Sequence, residues 1–109
     1  MLNGFWTVTF HTNVDAGAGV IVVNNGKVVG GDTSFTYIGP ITHDSNGSVT
    51  GELQVSRHSK FLPPVAPGLE NYALTLSGTA SAESFDLIGK VKGQESAQMM
   101  IKGKRIASI

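Results

Sequence analysis

The sequence contains no cysteine, so neither a disulfide framework nor a thiolate nucleophile or metal ligand is available to it. A surplus of either charge is missing as well. Eight basic residues balance eight acidic ones, which leaves no electrostatic footprint for direct nucleic-acid binding or for an anionic membrane. No apolar run approaches membrane-spanning length, and Met1-Leu2-Asn3 leads into Gly4-Phe5-Trp6 without the basic and apolar regions of a signal peptide. The expectation is a cytoplasmic protein. No segment sustains a helical period over more than two turns. There is no G-x-S-x-G elbow, and nothing positions a nucleophile against a base, so no enzymatic activity is expected. His11, His43 and His58 do not occur at metal-ligand spacing, and neither a metal nor a cofactor is expected.

What the chain does have is glycine, fourteen residues in a length of 109. That length fits a single domain over 1–109 with one core. The organising stretch is Gly17 to Gly39, where two β-branched runs meet at Asn25-Gly26. Asn-Gly between strand-like runs is a strong hairpin signal, because both central residues of a type I′ turn need positive φ.

Taken in order, Gly4 to His11 alternates as a half-buried strand with Trp6, Val8 and Phe10 on one face. Asn13 to Gly17 reads as a turn. Ala18 to Asn24 and Lys27 to Gly30 read as the second and third strands, the second apolar on both faces from Val20 to Val23, which calls for a subunit interface or a covering loop outside it. After a corner at Gly30-Gly31-Asp32, Ser34 to Gly39 gives a fourth strand. Pro40 to Ser48 is a polar, turn-forming segment, and Val49 to Arg57 is the fifth strand. Ser59 to Gly68 holds three of the four prolines and cannot be a central strand. Tyr72, Leu74 and Leu76 lie in a sixth strand that turns at Gly78 to Ala82. A seventh surrounds Phe85, Leu87 and Gly89, and an eighth runs from about Ala97 to Ala107.

Eight short strands joined mostly by tight turns predict an all-β fold, an eight-stranded antiparallel up-and-down barrel, in which closure removes exposed edges. The inward set is Trp6, Phe10, Phe35, Tyr37, Leu53, Leu74, Leu76, Phe85 and Met99. Barrels of this size either fill with side chains or hold one small ligand, so the interior is a packed core or a site for a small apolar molecule.

Two resemblances follow from particular residues. Gly4-Phe5-Trp6 at the start of the first strand, with Arg105 near the end of the last, resembles the G-x-W and closing arginine of lipocalin- or calycin-like barrels. In that geometry the arginine lies over the tryptophan. The wider pattern covers most of the chain: Gly4 through Val8-Thr9-Phe10, Gly17-Ala18-Gly19-Val20-Ile21-Val22, Asn25-Gly26, Gly30-Gly31-Asp32, Tyr37, Gly39, Val55-Ser56-Arg57 and Asn71-Tyr72-Ala73-Leu74. It resembles the GrlR-type family of small cytoplasmic negative regulators of type III secretion genes. The resemblance implies a lipocalin-like barrel, a homodimer, and repression by sequestering a transcriptional activator. It also implies an acidic four-residue motif in the loop between the fourth and fifth strands, which contacts the basic activator. Here that candidate partner-binding loop is His43-Asp44-Ser45-Asn46-Gly47, with one acid.

The remaining candidates each carry two readings. Asp32 is either a ligand or proton acceptor at the barrel mouth, or a turn carboxylate accepting backbone N–H groups while Gly30 and Gly31 supply unusual φ. Ile21, Val23, Phe61, Leu62 and Val65 are candidate interface residues, and the stretch from Phe61 to Val65 either plugs a barrel end or packs on a partner.

Overall fold

The computed structural model describes residues 2–13, 15–60 and 70–109. Its eight strands are β1 (Gly4–His11), β2 (Ala16–Asn24), β3 (Lys27–Gly31), β4 (Phe35–His43), β5 (Ser48–Arg57), β6 (Asn71–Ala80), β7 (Ser84–Val91) and β8 (Gln94–Ala107). Each pairs antiparallel with its neighbours in sequence, and β8 pairs with β1 to close the barrel. Strands adjacent in the barrel are adjacent in sequence, so it is the up-and-down arrangement.

The hairpin at the centre of the sequence forms as its chemistry dictates. Asn24 pairs with Lys27, and the two turn residues adopt φ of 51° at Asn25 and 78° at Gly26, the left-handed region that Asn and Gly enter most easily. Alternation then sets the interior. From β1, Trp6 and Val8 point inward; β2 contributes Ile21 and Val23, β5 contributes Val49, Leu53 and Val55, and β7 contributes Phe85, Leu87 and Val91. All of the expected inward residues belong to this core or, for Phe10, pack against it.

Several boundaries differ from the sequence reading. β2 begins at Ala16, because Ala16 and Gly17 continue the ladder opposite His11 and Phe10; the turn shrinks accordingly, with the Thr12 N–H donating to the Asp15 carbonyl at 2.8 Å. β4 runs through Pro40 to His43. Proline has no N–H to give a ladder, and the pairing with β5 passes from Ile38↔Gln54 to Ile41↔Gly51 across that position. β6 continues through Gly78 to Ala80, pairing with Val49 on one side and Leu87 on the other. β8 starts earlier, at Gln94.

The Gly-Gly-Asp corner also needs correcting. Gly30 and Gly31 are the last residues of β3, and neither has positive φ. What they supply is space: a Cβ on Gly30 would lie 2.7 Å from the Ile21 Cα of the neighbouring strand. The corner proper begins at Asp32.

Candidate functional site

The barrel has two unlike ends. At the end carrying the β2–β3, β4–β5 and β6–β7 turns, Trp6 is fully buried and donates its indole N–H to the Leu2 carbonyl at 2.9 Å. Its ring lies 4.9 Å from that of Phe85. The Arg105 guanidinium carbon stands 4.6 Å from the Trp6 ring centroid, while the side chain donates to the Ala82 carbonyl at 2.6 Å and to the Asn3 carbonyl. This is the seal that the G-x-W and closing arginine implied, and it joins both ends of the described chain at one barrel end.

Above this floor the barrel is hollow. A cavity of about 410 Å³ extends toward the opposite end, within the size range of small-molecule sites. Every residue of the expected inward set except Trp6 lines it. The sequence reading did not place Ile21 and Val23 inside. They were candidates for an interface, but their β2 positions turn them inward at 6% and 2% exposure, and Ile21 lines the cavity. The outward residues are their alternates. Val22, Val29 and Ile38 stand in register across β2, β3 and β4, with Val29 and Ile38 left 49% and 45% exposed. Phe61, Leu62 and Val65 lie outside the described residues.

At the hollow end the cavity reaches a rim bordered by Asp15, Thr33 and Asp32. Asp32 Oδ1 accepts the backbone N–H groups of Ser34 at 2.8 Å and Phe35 at 2.7 Å, so the turn-carboxylate reading describes its backbone role. The other oxygen, Oδ2, accepts the Tyr37 hydroxyl, and the carbonyl of Asp32 lies 3.0 Å from His58 Nε2. Asp32 therefore both fixes the corner and presents a carboxylate to the rim.

Two phenols share this environment. Burial, then the hydrogen bond to Asp32 and its negative charge, push the Tyr37 hydroxyl far above its ordinary value. Burial, with a smaller contribution from the Asp32 charge, pushes Tyr72 up to about 12. Both stay protonated at neutral pH, and Tyr37 serves as a donor to Asp32. Phe10 meets Tyr37 edge-on at 6.1 Å. Ser34, 5% exposed, also borders the cavity, and its hydroxyl has no hydrogen-bond partner among the described residues.

Sequence reasoning missed the Asp32–Tyr37 pair and the place of Tyr72 at the rim. Linear spacing carries no signal for the pair, because it depends on how the Asx-type corner folds back toward the next strand. Of the candidate partner-binding residues, His43 ends β4 and Asp44, Ser45 and Asn46 lie in the β4–β5 turn, at the sealed end and away from the rim. Asp44 Oδ1 accepts the N–H groups of Asn46 and Ser48, both at 3.1 Å, so its carboxylate braces its own turn. His43 sits at the end of β4 with Nδ1 buried and unpartnered among the described residues.

Among the described residues, no group of His, Asp or Glu side chains could hold a metal ion, and no helix is long and apolar enough to cross a membrane. A comparison with curated proteins finds no match. A comparison with protein families finds one, described as the T3SS negative regulator GrlR, over residues 1–109. The match takes in every element described above, from the Trp6 floor to the Asp32 rim. The chain belongs to the GrlR family of negative regulators of type III secretion.

Proposed function

We propose that this chain represses type III secretion genes in the cytoplasm by binding another protein, a transcriptional activator that it withholds from DNA, without catalysis. The observation that carries this reading is the family match across the whole chain. Charge supports the route through a protein, since a chain with balanced acids and bases carries no net positive charge with which to compete for DNA itself. The partner contact differs in kind from an acidic motif meeting a basic activator. Asp44 is the one acid of the β4–β5 loop, and it braces that loop from within.

A homodimer belongs to the same proposal. The stripe of Val22, Val29 and Ile38, with Val20 beside it, is an apolar outward face of the kind that marks association sites, and a second copy offers an equal face in an isologous contact. The test is a promoter reporter in the organism's own cells. Removing the gene raises transcription of the secretion genes, and supplying the chain in excess lowers it. Unchanged transcription in both cases defeats the reading.

A second reading is favoured by one specific observation, the hollow barrel. A cavity of about 410 Å³ with an apolar wall and a polar rim fits a carrier or sensor of a small apolar molecule. Such a ligand would make repression respond to a metabolite.

A further inference from the structure

The wall of the cavity is apolar, and its charged lining is of one sign. Among the described residues that border it, the ionisable carboxylates are Asp15 and Asp32, and no lysine, arginine or histidine joins them. None of the described ion pairs uses either carboxylate; the cations that pair do so with Glu70, Glu52 and Asp86. Arg57, whose position on β5 is opposite Phe35 at the same end, stands over the Phe35 ring at 5.9 Å, pairs with Glu70 at 3.6 Å and donates to the Ser59 carbonyl at 3.0 Å, and it does not itself line the cavity.

Asp32 is held by neutral donors: two backbone N–H groups and the Tyr37 hydroxyl. A carboxylate offers about four lone-pair sites, so one remains open, and no ion pair engages the group among the described residues. Glycine at position 19, on the inward face of β2, leaves the room in which Tyr37 and Asp32 stand, since a Cβ there would lie 3.0 Å from the Tyr37 hydroxyl oxygen. Tyr72 and Phe10 add ring surface nearby. A carboxylate beside tyrosine side chains at the mouth of an apolar pocket is the chemistry that receives an ammonium group, through charge-assisted hydrogen bonding. A fatty acid would set its own carboxylate against Asp15 and Asp32.

We propose that the barrel binds an amine-bearing amphiphile, with the apolar tail in the cavity and the ammonium head at Asp32 between Tyr37 and Tyr72. This rests on the carrier or sensor reading and adds the chemistry of the head group. The test is calorimetric titration of the full chain at neutral pH with decylamine, decanol and decanoate, which share a tail and differ in the head. Decylamine binds about tenfold more tightly than decanol, decanoate binds weakest, and added salt weakens the amine alone. Asp32→Asn removes the preference for the amine and leaves decanol binding in place. Should that variant fail to fold, the salt dependence of the native chain decides. Equal binding of decylamine and decanol overturns the head-group assignment while the ligand reading stands, and tighter binding of decanoate overturns it in favour of Arg57. Binding of none of the three removes both.

Discussion

Trp6 and Arg105 show how single side chains close a barrel. Arg105 stacks on Trp6 and donates to the Ala82 and Asn3 carbonyls. Replacing Arg105 with alanine removes a cation–π contact and charge-assisted hydrogen bonds, and is expected to cost about 2 kcal/mol. Trp6→Ala, which empties a fully buried site, costs about 4 kcal/mol. Urea unfolding of the two variants, followed by circular dichroism, measures both. The tyrosines give a second prediction at this scale. Tyr37 and Tyr72 hold their protons more tightly in the folded barrel than in the unfolded chain, where tyrosine titrates near pH 10. Their contribution is complete below about pH 10 and is lost as pH rises through the folded values, about 12 for Tyr72 and higher for Tyr37. The melting temperature therefore falls from about pH 10 upward, and falls less steeply in Tyr37→Phe. The Trp6–Arg105 seal was legible in the sequence because G-x-W and a late arginine are short linear signals. The Asp32–Tyr37 bond was not. It depends on how a corner folds back, and linear spacing does not report that.

Among the elements, the hairpin joining β2 and β3 was the most legible, since Asn25-Gly26 names its own turn type. Gly26→Ala forces a Cβ into φ of 78° and is expected to cost about 1 kcal/mol, read as a shift in the unfolding midpoint. Strand ends were less legible, for physical reasons that differ from one to the next. Pro40 suggested a turn, yet β4 passes through it because the ladder tolerates a missing donor at one position. Gly78 suggested the start of a turn as well. It is an inward strand residue that lets β6 and β7 approach, with a Cβ there placed 2.8 Å from the Leu87 Cα. In β2, alternation was obscured because both faces are apolar, and Ile21 and Val23 were assigned to a surface when their alternates Val20 and Val22 hold it.

At the scale of the whole molecule, the barrel presents an apolar stripe outside and a cavity inside, and the two make separate predictions. If the stripe joins two copies, Val29→Lys with Ile38→Lys converts a dimer to a folded monomer, seen as a halved mass in sedimentation with unchanged circular dichroism. A monomer in the parent chain at micromolar concentration would remove the dimer. The closed architecture was legible from eight runs and their turns, whereas the cavity was not, because the same alternation describes a filled barrel and a hollow one. Regulation through a captured activator is the central claim, and native mass spectrometry of the chain isolated gently from its own cells tests it most directly. The account predicts two copies of the chain together with a DNA-binding activator that no longer shifts its promoter. Folded chain recovered without any second polypeptide, under conditions in which the secretion genes are repressed, would contradict it.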